Sequence, residues 1–164
     1  MRVKRHFLKE RDGRKLLGDF CGELGVNVER LFPGKPRVEV VESGSTRFFL
    51  VDGRPLIVEV GGRLIPTLVF SEAVAFLPRV VVDMGAVPHV ANGADVMAPG
   101  VVRVEGAPVE GDLVAVVDER HGKAIAVGVA IVSAEAIPST KRGKVVKNLH
   151  YVGDKIWRLI KSLE

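Results

Sequence analysis

Residues Val80 to Val101 read VVVDMGAVPHVANGADVMAPGV. The β-branched run Val80 to Val82 predicts a strand, and Asp83 offers a short side-chain oxygen to cap the helical stretch expected at Val87 to Asn92. Pro88 is tolerated in the first turn of that helix, and Asn92-Gly93 supplies left-handed residues to end it. The chain then restarts as a strand after Asp95, expected over Val96 to Val102. Gly85, Gly93 and Gly100 stand at the three junctions. Lacking side chains, they would let a nucleic-acid backbone approach main-chain N–H groups, or they serve only to tighten the turns. Residue types alone leave both readings open.

Downstream, Leu113 to Val117, Lys123 to Val132 and Lys144 to Tyr151 continue the strand pattern, and many short strands joined by turn residues indicate a closed or nearly closed barrel. Asp118 to Lys123, containing Glu119, His121 and Gly122, reads as a polar hairpin tip rather than an acid–base pair. His150 and Tyr151 must point to opposite faces of a strand. The expectation is Tyr151 inside and His150 outside, where an imidazole can stack on an RNA end. Trp157 with Ile156 and Ile160 reads as the apolar face of a closing helix. Upstream, Leu16, Leu17, Phe20 and Leu24 predict a helix over about Arg11 to Gly25, weakened by Gly18, Gly22 and Gly25. Arg37 to Val41, Arg47 to Val51, Pro55 to Val60 and Arg63 to Ile65, separated by Ser43-Gly44-Ser45, Asp52-Gly53 and Gly61-Gly62, predict an antiparallel meander. Thr67 is expected to cap a helix to Leu77, which Pro78 stops. The predicted fold class is therefore α+β: a small α/β N-terminal domain over residues 1–77 followed by a C-terminal β-barrel domain with a closing helix over residues 78–164.

The net charge of +4 conceals a segregation. Met1 to Lys15 carries seven Lys/Arg against Glu10 and Asp12, and Ser139 to Glu164 carries seven against Asp154 and Glu164, while the middle of the chain is acidic. Basic ends can form a polyanion-facing surface or remain solvated termini. The longest stretches free of Asp, Glu, Lys and Arg, Met84 to Ala94 and Ala124 to Ala134, are far short of the roughly 20 residues a membrane helix needs. Met1 to Lys15 lacks the apolar core of a secretory signal, so a cytoplasmic location is expected, with no membrane partner. Cys21 is the sole cysteine, which excludes an internal disulfide and reads as a buried apolar thiol. His6, His89, His121 and His150 are never spaced i, i+3 or i, i+4, so no local metal motif exists, and no cofactor is expected. Phosphate-loop, nucleophile-elbow and dinucleotide signatures are absent from the sequence, and no catalytic residues are assigned.

In order along the chain, Asp83-Met84-Gly85-Ala86, Asn92 to Gly100, Gly111-Asp112-Leu113-Val114, Ala126 to Ala130, and Asn148-Leu149-His150-Tyr151 with Asp154 and Trp157 resemble the strands, helix and tail of a PUA domain. Phe32-Pro33-Gly34, Ile65-Pro66-Thr67-Leu68 and the His150-Tyr151 ending further resemble the malignant T-cell-amplified sequence family and its archaeal-type members. That resemblance implies a non-enzymatic protein that binds structured RNA, with transfer RNA or the small ribosomal subunit as targets during initiation or reinitiation. It also implies a density-regulated-protein-like partner. Carried onto this chain, the RNA surface would comprise Gly85, Ala86, Val87, His89, Asn92, Gly93 and Ala94 with Met97, Pro99, Gly100, Lys147 and His150. The helix segment departs from a basic surface in having no Lys or Arg. Phosphate charge then falls to Lys141, Arg142, Lys144 and Lys147, with Arg2, Lys4 and Arg5 as further candidates. Binding of pre-ribosomal RNA during assembly, or delivery of substrate to an RNA-modification enzyme, are the alternative functions.

Overall fold

The computed structural model describes residues 3–163. Two compact units are present: one runs to Phe76 and takes in the chain from Ile160, and the other is Leu77–Leu159. The first unit contains β1 (Val3–Phe7), α1 (Glu10–Leu24), α2 (Val28–Leu31), β2 (Val38–Ser43), β3 (Thr46–Val51), β4 (Arg54–Val60), β5 (Arg63–Pro66) and α3 (Ser71–Val74). Its five strands form an antiparallel sheet in chain order. The i, i+3, i+4 pattern of α1 buries Leu17, Phe20 and Cys21 on the sheet residues Val38, Val40, Phe49 and Ile57. Gly13 permits that approach, since a Cβ there would lie 3.3 Å from Val38 Cγ2. Phe20 also stacks on Phe70 with centroids 6.1 Å apart, and Phe32 sits 5.5 Å from Phe70. Burial of each ring contributes about 1.5–3 kcal/mol, which offsets the helix-weakening glycines.

Two N-terminal expectations change. Strand β1 lies in the basic N-terminal stretch, where no strand is expected from the sequence because all five of its residues are exposed and give no apolar alternation. Cross-strand pairing holds it instead: Arg5 donates two hydrogen bonds of 3.0 Å to Glu39. Thr67 does not cap a helix. It is buried, its hydroxyl donates to Pro55 O at 2.8 Å and its amide to Leu56 O at 2.9 Å, so the chain stays tied to β4 and only Ser71–Val74 becomes helical.

The second unit contains β6 (Arg79–Val82), α4 (Val87–Val90), β7 (Val96–Met97), a 3-10 turn at Ala98–Gly100, β8 (Val101–Glu105), β9 (Leu113–Asp118), β10 (Ala124–Ala130), a second 3-10 turn at Ala134–Ala136, α5 (Ile137–Thr140) and β11 (Lys144–Tyr151). Helix α6 (Lys155–Leu163) ends the described chain. The single strand expected over Val96 to Val102 is two strands. The 3-10 turn carrying Pro99 breaks it, so that Val96 and Met97 pair with β11 while Val101 onward pairs with β6. In the sheet order β7-β11-β10-β9-β6-β8, the two outermost strands are therefore consecutive in the chain. Three intervening residues bring the edges together, and the sheet curls into a barrel around Val80, Val82, Val114, Val116, Ala126 and Val146. The fold is α+β, a small N-terminal domain of helices and an antiparallel sheet followed by a barrel.

Candidate nucleic-acid interface

The segment after β6 is held by Asp83. Its amide donates to Gly100 O at 2.9 Å, and its Oδ1 accepts the Ala86 N–H at 2.8 Å. Asp83 thus closes the turn before α4 rather than capping the helix, whose flanking residue is Ala86. Two of the three junction glycines have packing reasons. A Cβ on Gly100 would stand 3.0 Å from Ala86 Cβ, and one on Gly93, where φ is +95°, would stand 3.1 Å from the Tyr151 ring. Only glycine satisfies both the backbone angle and the ring at position 93. Gly85 is exposed and, beyond the 3.3 Å approach to Asp83 Oδ1, has open space for a Cβ.

Asn148 of β11 latches the far end of α4. Its Nδ2 donates to Val90 O and Ala94 O, both at 3.1 Å, and its main-chain N–H donates to Asp95 Oδ1 at 2.9 Å. Asp95 Oδ2 in turn lies 3.2 Å from Lys144 Nζ. The sequence motif contains Asn148 and Asp95, but no local spacing reveals that they meet, since 53 positions separate them.

These ties leave a surface groove of about 250 Å³ lined by Asp83, Ala86, His89, Met97, Pro99 and Gly100, among others. Of the candidate RNA-contacting residues, Ala86, His89, Met97, Pro99 and Gly100 line it. Gly85, His89, Asn92, Ala94, Met97 and Pro99 are exposed, while Ala86, Val87, Gly93 and Gly100 are half-buried. Lys144 stands opposite Met97 in register, and Gly143 O accepts the Ala98 N–H at 2.9 Å, which brings the Lys141-Arg142 loop beside the 3-10 turn. Lys141, Arg142, Lys144 and Lys147 are all exposed. Lys144 has Asp95 as a counter-ion; Lys141, Arg142 and Lys147 make no ion pair among the described residues. Lys4 and Arg5 lie on β1 of the other unit, and Arg2 lies outside the described residues.

His150 is a correction. It is 0 % exposed, whereas Tyr151 is half-buried with its ring against Gly93. The inward imidazole is satisfied because Asp154 folds back to place Oδ2 at 2.9 Å from Nδ1. The same carboxylate accepts the Tyr151 N–H at 2.9 Å and the Trp157 N–H at 2.7 Å, capping α6. Burial opposes ionisation of Asp154, but the bond to His150 and these amides outweigh it and hold the carboxyl below its ordinary range. His150 therefore braces the corner between β11 and α6 and offers no face to a ligand.

At the β9–β10 tip, Asp118 accepts the main-chain N–H groups of His121 and Lys123, which lower its pKa, and Gly122 takes φ +65°. Its side chain organises the hairpin. Among the described residues no group of three or more His, Cys, Asp or Glu is placed to hold a metal ion, and no helix is long and apolar enough to cross a membrane.

Residues 78–152 match the PUA domain, and residues 4–71 match a family described as Domain of unknown function (DUF1947). An uncharacterized protein of Methanocaldococcus jannaschii is 41% identical over 158 residues, covering 94% of this chain and 95% of that one. Translation machinery-associated protein 20 of Saccharomyces cerevisiae is 30% identical over 142 residues, covering 79% and 76% of the two chains. Human malignant T-cell-amplified sequence 2 is 32% identical over 139 residues, covering 80% and 76%. A crystal structure of a Pyrococcus horikoshii protein superposes with a TM-score of 0.81 at 33% identity, covering 96% of this chain and 99% of that one. With both units matched in order and relatives aligned across them, the chain belongs to the malignant T-cell-amplified sequence and translation machinery-associated protein 20 family of PUA-domain proteins.

Proposed function

We propose that this protein is a non-catalytic RNA-binding factor of translation that contacts transfer RNA or small-subunit ribosomal RNA during initiation or reinitiation, in the cytoplasm. The observation that carries this reading is the groove between α4 and the Ala98–Gly100 turn, with Lys144 of the neighbouring strand opposite Met97 in register and Lys141 lining the cleft on the other side of the same turn. Its walls combine Ala86, Pro99 and Gly100 with Val90, Val96, Met97 and the His89 imidazole, and its two carboxylates are engaged, Asp83 by the Ala86 N–H and Asp95 by the Asn148 N–H and Lys144, so a ribose–phosphate backbone can approach the main chain at the small residues. Lys141, Arg142 and Lys147 supply the sequence-independent attraction. The name of the yeast relative supports the assignment to translation. A density-regulated-protein-like partner belongs to the same reading and is testable by co-purification.

Crosslinking the protein to RNA in its native cells, followed by identification of the bound species, tests the proposal. Mature transfer RNA or small-subunit RNA in initiation complexes is expected. Precursor ribosomal RNA would point to assembly instead, and co-isolation with an RNA-modifying enzyme to substrate delivery. Recovery of no RNA at low salt would contradict all of these.

A further inference from the structure

We infer that the N-terminal unit carries a second RNA-contacting surface, where the Phe7–Arg37 pair at the end of β1 borders a cleft lined by Lys9 and Lys35, and that its ligand is a single-stranded segment of RNA. Phe7 is 52 % exposed, so part of the ring is open to a ligand. The Arg37 guanidinium carbon lies 4.1 Å from the ring centroid, so aromatic and cation are already stacked. Arg37 also borders a cleft of about 230 Å³ that Lys9 and Lys35 line with Leu8, Gly13 and Pro36. Neither lysine makes an ion pair among the described residues.

The neighbouring acids are engaged elsewhere. Glu39, opposite Phe7 in register, is held by the two hydrogen bonds from Arg5, which keep its carboxyl below the ordinary range. Asp52 Oδ1 accepts the Arg37 main-chain N–H at 2.9 Å, and Glu10 lies 3.8 Å from Arg14. Glu39 also faces the charge of Arg37, so Lys9 and Lys35 are the exposed cations left without an ion pair among the described residues, beside the Phe7–Arg37 stack. Anionic lipid or an acidic peptide would use only the charge. An RNA strand uses both features, its phosphates meeting the lysines and a base stacking on the Phe7–Arg37 pair.

This inference rests on the RNA-binding reading but concerns a different unit from the barrel groove, and the two fail separately. The test is fluorescence anisotropy of the full chain with a labelled 12-nucleotide oligouridylate across a salt series. Lys9→Ala/Lys35→Ala is expected to flatten the slope of log affinity against log salt by about 1.4, from roughly 0.7 for each single-strand phosphate no longer neutralised. Phe7→Leu keeps an apolar side chain and is expected to lose roughly tenfold in affinity with the slope unchanged. Arg37→Lys, which keeps charge but not the planar stack, is expected to weaken binding in the same direction. If these variants bind like the wild type while Lys147→Ala is weakened, the second surface is wrong and the barrel reading stands. If the variants lose binding to anionic vesicles or an acidic peptide but not to the oligonucleotide, the inference is likewise overturned. A wild type that binds no RNA at low salt removes both.

Discussion

Gly93→Ala is the substitution that most sharply tests how the barrel shapes its groove. At φ +95° any L-residue other than glycine is strained, at a cost of about 1–3 kcal/mol. The added Cβ also meets Tyr151 Cε1 at 3.1 Å and the hydroxyl at 3.2 Å, and overpacking of this kind costs about 1–3 kcal/mol more. Together they place the loss at about 2–6 kcal/mol. Trp157, the sole tryptophan, lies within the barrel unit, so its fluorescence during urea unfolding reports on that unit. A double-mutant cycle with Tyr151→Ala separates the two contributions. Removing the ring relieves the overpacking but not the backbone strain, so the pair is expected to be less destabilised than the sum of the singles by about 1 kcal/mol or more. A Gly93→Ala protein within about 0.5 kcal/mol of wild type, or a strictly additive pair, would refute the packing argument.

Asp154→Asn is expected to destabilise by about 1–3 kcal/mol, because the α6 cap and the bond to His150 weaken together. The folded-state pKa of Asp154 is depressed, so its stabilising contribution is present above the unfolded value near 4 and is lost as pH falls through the folded one. The variant is therefore expected to show a shallower acid limb in stability measured between about pH 5 and 2. Thr67→Val removes the buried hydroxyl bond to Pro55 and is expected to cost about 1–3 kcal/mol in thermal unfolding, and an unchanged melting temperature would contradict that bond. Lys144→Ala is expected to weaken RNA binding less than Lys147→Ala in the same titration, since Asp95 already neutralises part of the Lys144 charge.

Local chemistry made the meander and the last barrel strand legible, because Asp52-Gly53 and Gly61-Gly62 mark tight turns and β-branched runs mark the strands between them. Strand β1 was illegible for the opposite reason: its residues are exposed, and its ladder partners, Glu39 to Ser43, lie more than thirty positions away. Thr67 has the residue type of a cap, but a carbonyl 12 positions earlier claims its hydroxyl. The groove was partly readable. Gly85 to Gly100 announced a strand–turn–helix–turn unit, yet the orientation of His150 depends on Asp154 returning to satisfy it, and the hold on α4 depends on Asn148 crossing from β11. Hydrophobic ranking alone places Tyr151 inside; a buried carboxylate partner reverses the order.

The central claim is that the groove beside α4 meets RNA through cations on the α5–β11 side of the barrel. The direct measurement is the salt dependence of RNA affinity for Lys141→Ala/Arg142→Ala/Lys147→Ala against wild type. A slope flattened by about 2–3 is expected, from roughly 0.7–0.9 for each phosphate that the variant no longer neutralises. An unchanged slope with unchanged affinity would contradict the claim and move the interface elsewhere on the protein.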